Sequence, residues 1–171
     1  MTTDVFGRVP RGVLALVALV ALGAVGLALV AQHGFGMKPC PWCVFQRIVL
    51  LAIALAAGLG WFWRGRAVAI GSATLTALLA LGGIAAAVFQ HRVAALDSSC
   101  ALTFVDRFLS ATGLETSLPF VFQVTATSME AASYRLLGLS FEVWSGLLFG
   151  LIALAALQVL RAALAARGAR V

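Results

Sequence analysis

The chain has 171 residues, 63% of them hydrophobic and 11% charged, with a mean hydropathy of +1.06. A soluble domain is nearer half apolar and a quarter charged, and a chain this short buries only about 70% of its surface, so the excess must face lipid and a soluble fold is excluded. The net charge of +6 is scattered, with no basic, aromatic-rich patch; this excludes a nucleic-acid surface and leaves topology-setting charge.

About 20 apolar residues cross the roughly 30 Å hydrocarbon core as a helix. Four segments meet that length. The first, 12–31, is GVLALVALVALGAVGLALVA. It follows Arg8 and Arg11 and ends in LVAQ, in the manner of a signal peptide, but its apolar run is long for a signal core and Leu29 is a poor residue for cleavage. It is expected to remain as a span. A short connection, 32–40, leads to the second segment, 41–63, which is interrupted by Gln46 and Arg47. The third, 67–90, is rich in small residues such as Gly71, Ser72, Gly82 and Gly83, which let helix backbones approach closely. A long connection, 91–140, precedes the fourth segment, 141–160. The expected fold is an all-α integral membrane protein: one domain over 1–171, built as a four-transmembrane-helix bundle.

Lys and Arg in short flanking segments mark the cytoplasmic side of a membrane. Arg8 and Arg11, Arg64 and Arg66, and Arg161, Arg167 and Arg170 fall on one side of the four spans, with Asp4 as the acid among them. Lys38, Arg92, Arg107 and Arg135 fall on the other, set against Asp97, Asp106, Glu115, Glu130 and Glu142. Both termini are therefore expected in the cytoplasm. The segments 32–40 and 91–140 then face outward, which in a bacterium is the periplasm. Fifty residues make too long a link to be idle. Within it, ALTFVDRFL (101–109) puts Leu102, Val105, Phe108 and Leu109 on one helical face, suited to the membrane surface or to the top of the bundle. PFVFQV (119–124) is apolar as well and could touch lipid headgroups.

The chemistry concentrates in KPCPWCVFQR, 38–47, at the mouth of the second span. Pro41 suits the first position of a helix, where its missing N–H costs nothing. Cys40 then caps the helix, with Cys43 one turn along and Arg47 a further turn down. Offsets of three and four place these side chains on one face. A helix N-terminus and a guanidinium both stabilise a thiolate, so the stretch reads as a device for holding a sulfur anion at the water–lipid boundary. Cys40, Cys43 and Cys100 all fall on the outward side, where an exposed C-x-x-C pair forms a disulfide or exchanges with one. A zinc site would need two further soft ligands, and only Cys100, His33 and His91 remain; no metal is expected. A purely structural disulfide closing so short a loop stabilises little. Arg47 could snorkel to the outer interface, two turns away, but an intramembrane cation usually has a functional partner and the thiols share its face.

These residues give the chain a likeness to a known family. It resembles disulfide bond formation protein B (DsbB), the bacterial inner-membrane quinone reductase that reoxidises a periplasmic thiol oxidase, DsbA. The likeness rests on the four spans, the KPCPWCVFQR entry, FQH at the end of the third span, the loop cysteine Cys100, and LLGLSFEVWS leading into the fourth. It implies that Cys40 and Cys43 form the disulfide that passes electrons to ubiquinone (or menaquinone), with Cys43 the thiolate against the ring. It also implies that Arg47 is the cation of the quinone site, and that Cys100 forms a mixed disulfide with a DsbA-like partner. His91 matches a histidine near that site, and equally fits a polar residue at a helix end.

The chain departs from the family in one respect. The family carries two loop cysteines and this sequence has one; counting back from LGL at 137–139 puts the second at Met129, or at Ser128 with a one-residue slip. Three explanations stand side by side: an engineered Cys→Ser or related replacement, a divergent branch that works with three thiols, or a partner cysteine from another protein. Without that partner Cys100 is expected to pair with Cys40 or to stay reduced. The rival functions are a non-catalytic membrane subunit whose thiols act as a clasp and, ranked lower, a vitamin K epoxide reductase-like enzyme, which places its loop cysteines before the C-x-x-C span.

Overall fold

The computed structural model describes residues 11–63, 65–94, 104–127, 130 and 135–168. Four long apolar helices frame it: α1 (Arg11–Phe35), α2 (Pro41–Phe62), α3 (Arg66–Phe89) and, last in the chain, α7 (Phe141–Gly168). Between α3 and α7 come a π-helical turn (Gln90–Ala94), the short helices α4 (Phe104–Thr112), α5 (Leu114–Ser117) and α6 (Pro119–Phe122), and a two-stranded hairpin of β1 (Arg135–Leu136) and β2 (Leu139–Ser140). All four long helices are apolar and long enough to cross a bilayer. The four-span helical bundle expected from the sequence therefore holds, with one short hairpin outside the long helices.

Helix ends differ from the hydropathy boundaries in two places. Helix α1 runs on to Phe35 and is closed by Gly36, whose φ of 66° suits a residue without a side chain. Helix α7 continues past 160 to Gly168, because RAALAARG consists almost wholly of strong helix formers. Hydropathy measures what lipid can cover, and a helix continues wherever its residues favour it.

Each long helix has a buried stripe and a lipid-facing remainder. On α1 the stripe is Leu14, Val17, Ala21 and Val25, at three- and four-residue spacing, while Leu16, Leu19, Leu22 and Leu27 are exposed. Helix α1 packs on α2 and α7, α2 on α3, and α3 on α7, closing the bundle into a ring. Two glycines permit the tightest approaches. A methyl group at Gly83 would sit 2.5 Å from the ring of fully buried Phe149 on α7, and one at Gly60 would overlap Ser72 on α3. Small residues on facing helices gain dispersion contacts, which lipid alone does not drive.

The long connection does not lie idle. Val105 and Leu109 of α4 and Phe122 of α6 are buried in one cluster with Val44 of α2, and Phe108 meets Phe45 edge to face at 6.0 Å. Of the two placements open for the 101–109 stretch, the described part packs on the bundle end; Leu102 lies outside the described residues. Backbone N–H groups of Thr125 and Ala126 donate to the Pro39 carbonyl at 3.0 and 3.2 Å, tying this segment to the entrance of α2. The hairpin, which sequence patterning did not foresee, turns at Leu137 (φ 54°) and Gly138 (φ 83°), the paired positive angles of a two-residue turn. Trp144 Nε1 donates to the Leu136 carbonyl at 3.0 Å and holds the hairpin against α7.

Candidate functional site

The entrance of α2 is built as its sequence suggests. Cys40 occupies the cap with extended backbone (φ −89°, ψ 167°), Pro41 starts the helix, and the Cys40 sulfur accepts the Cys43 backbone N–H at 3.2 Å. The two sulfurs are free thiols 2.7 Å apart. Cys40 is fully buried and Cys43 is partly accessible. Its contact with the Cys43 sulfur, and then its burial, hold the Cys40 thiol well above the ordinary thiol range.

Arg47, one turn below Cys43, points into the protein rather than toward lipid and is only 6% exposed. Its Nη1 donates to Gln32 Oε1 on α1 at 2.6 Å and to the Val121 carbonyl on α6 at 2.9 Å. The guanidinium thus joins α1, α2 and the long connection at one point, and its charge is met by oxygen dipoles, as a cation at membrane depth requires.

Cys43 and Arg47 line the same cavity, of about 230 Å³, at the bundle end where the C-terminal turn of α1, the start of α2, the end of α3 and the start of α7 meet. Apolar walls come from Ala24, Leu27, Ala28, Leu50 and Leu148, and polar groups from Gln46, Gln90, Glu142 and Ser145. Lys38 stands among the lining residues and forms an ion pair with Glu130 at 3.1 Å.

A string of side-chain hydrogen bonds reaches the thiols from behind. Ser145 on α7 donates to Gln46 Oε1, Gln46 Nε2 donates to Gln90 Oε1 at 2.9 Å, and Gln90 Nε2 lies 3.5 Å from the Cys40 sulfur and 3.6 Å from that of Cys43. Each amide is oriented by the next, so the N–H groups of Gln90 are aimed at sulfur. Gln90 stands at the start of the π-helical turn, a local widening that recurs at functional sites.

Sequence patterning singled out Cys40, Cys43 and Arg47, and these come together. His91 is adjacent but does not line the cavity: its Nδ1 meets Glu142 Oε1 at 3.0 Å, with the ring half exposed and the carboxylate buried. Cys100, Ser128 and Met129 lie outside the described residues. Gln32, Gln46, Gln90, Glu142 and Ser145 were not assigned from the sequence. FQH and SFEVWS stand out as motifs, but the polar residues in them give no hint of their partners on other helices.

Residues 10–159 match the family described as "Disulfide bond formation protein DsbB". A "Disulfide bond formation protein B" of Polaromonas sp. is 32% identical over 158 residues, covering 91% of this chain and 93% of that protein. One from Verminephrobacter eiseniae is 34% identical over 180 residues, covering 95% and 92%. A "Disulfide bond formation protein B 1" of Pseudomonas savastanoi pv. phaseolicola is 36% identical over 133 residues, covering 77% and 78%. With a thiol pair at the mouth of a membrane helix and a match along nearly its whole length, the chain belongs to the DsbB family of disulfide bond formation proteins, membrane oxidoreductases.

Proposed function

We propose that this protein takes electrons from a reduced periplasmic DsbA-like thiol oxidase and delivers them to ubiquinone in the bacterial inner membrane. The observation that carries this reading is that Cys43 and Arg47, one helical turn apart, line a single cavity with apolar walls. Its size and chemistry suit a flat ring carrying carbonyl oxygens: Ala and Leu side chains on the flanks, a guanidinium and amides at the polar end. When bound, the quinone supplies the two-electron sink that thiol exchange by itself lacks.

Each residue then has a task. Cys40 and Cys43 alternate between dithiol and disulfide, with Cys43 the sulfur on the cavity side and Cys40 the one that exchanges with Cys100. Both hydrogen bonds of Arg47 to described residues leave from Nη1, so the rest of its fork is available to stabilise negative charge in the cavity. Gln90, oriented through Gln46 and Ser145, directs an amide N–H at the sulfurs. Cys100 carries the mixed disulfide with the oxidase, and the outward side holding it is the periplasm, as the basic flanks indicate.

Purified protein supplied with ubiquinone is expected to develop a visible thiolate–quinone absorbance that vanishes in Cys43→Ala. If that variant absorbs like the parent, Cys43 is not the sulfur at the ring. A second reading, a non-catalytic clasp, draws its support from the single loop cysteine. It predicts no thiol-dependent quinone reduction by a reduced thioredoxin-like oxidase, which makes that rate the deciding measurement.

A further inference from the structure

The cavity contains one acidic side chain that electron transfer between sulfurs and a ring does not explain. Glu142, in the first turn of α7, is 4% exposed and lines the cavity. Its Oε1 meets His91 Nδ1 at 3.0 Å, and its Oε2 is buried with no hydrogen-bond partner among the described residues. A buried carboxyl oxygen left unmatched is costly, and ionisable groups within membrane helices commonly mark proton paths. His91, by contrast, is half exposed and so touches both water and the carboxyl group.

We propose that Glu142 delivers a proton into the cavity and that His91 replenishes it from water. This rests on the quinone reading above, and proton bookkeeping gives it a specific place there. Converting the Cys40 thiol and the Cys43 thiolate into a disulfide releases two electrons and one proton. Reducing a quinone to a quinol consumes two electrons and two protons. One proton is missing from the thiol pair, and Glu142 supplies it. The carboxylate left behind takes a proton from the His91 imidazolium, and that ring recovers its own from the outer aqueous phase, so charge and atoms balance over one cycle. The other groups near the carboxyl do not compete for this role. Arg47 does not give up its proton in proteins, Gln46 and Gln90 do not titrate, and Lys38 is engaged by Glu130 at the mouth.

The test uses the full-length protein in detergent, its Cys40–Cys43 pair reduced chemically, and one turnover with ubiquinone; no loop cysteine is needed. Glu142→Gln, which keeps shape and polarity, is expected to slow thiol oxidation at least tenfold. It should retain bound ubiquinone and the Cys43-dependent absorbance. Formate, a small diffusible acid, should restore much of the rate to Glu142→Ala. Infrared redox-difference spectra of the parent should contain a carboxyl C=O band that Glu142→Gln removes. Parental rates in Glu142→Gln overturn the proposal. So does a slow variant that has lost bound ubiquinone and is not rescued by formate, which marks Glu142 as structural. Absence of the Cys43-dependent absorbance from the parent itself sinks the quinone reading, and this proposal with it.

Discussion

Cys40 and Cys43 differ although only two residues separate them. Cys40 sits at the helix cap, fully buried, with the neighbouring sulfur and then its burial raising its thiol. A raised thiol stays protonated to higher pH. Its contribution to stability is therefore complete below the ordinary thiol range and lost as pH climbs through the elevated value. In the reduced protein, alkylation of Cys40 should rise with pH only above about 8.5, the ordinary thiol midpoint. Replacing Cys43 with Ala removes the largest cause, so the same profile, followed by mass spectrometry, should move to lower pH. An unchanged profile would assign the effect to burial alone. Arg47 shows a different economy at the same scale. The oxygens of Gln32 and Val121 fix one nitrogen of its fork, making the cation at once a strut between segments and the charged end of the cavity.

Helices meet here through small residues, and the consequence is measurable. Gly82 and Gly83 are neighbours in α3, yet a methyl group at Gly82 meets nothing within 4 Å, whereas at Gly83 it would strike Phe149. Gly83→Ala should therefore push α3 and α7 apart at a cost of about 1–3 kcal/mol, the usual range for an overpacked core. Gly82→Ala should be neutral or stabilising by up to about 1 kcal/mol through helix propensity. Thermal unfolding in detergent of the two variants compares the effects directly, and equal midpoints would contradict the packing described. The element that shapes the site most is the end of α3. There the π-helical turn carries Gln90 toward the thiols and His91 toward α7. Two adjacent residues thus serve different partners.

The molecule as a whole is a ring of four helices with its polar chemistry gathered at one end. Four helices long enough to cross a bilayer would bring both termini to one side, and from the basic residues flanking 12–31, 67–90 and 141–160 we propose that this side is the cytoplasm. Alkaline phosphatase fused within 113–118 should then be active in a bacterial host, and a green fluorescent protein fused to the C-terminus should fluoresce. The opposite pair of results would place the thiols on the cytosolic face and remove their access to a periplasmic oxidase. The ties from Thr125 and Ala126 to Pro39, and from Lys38 to Glu130, hold the long connection over the entrance of α2. At this scale the bundle builds the cavity, and the connection is tied down beside the thiols.

Amino-acid order by itself determined the four long apolar helices and the grouping of Cys40 with Cys43 and Arg47. Both depend on local quantities: apolar length against bilayer thickness, and helical offsets of three and four. The hairpin at 135–140 escaped because two-residue strands leave no alternation to read. What only tertiary structure decided is the company these residues keep. Gln46 and Arg47 interrupt an apolar run in the sequence, and nothing local says that they reach Gln90 in the turn after α3 and Gln32 on α1. Glu142 reads in the sequence as one more acid on the outward side, and it becomes a buried carboxyl on the cavity wall only when α7 packs beside the end of α3. A hydrogen bond between helices is a fact about distance in space, and sequence separations of 44 and 51 residues carry no record of it.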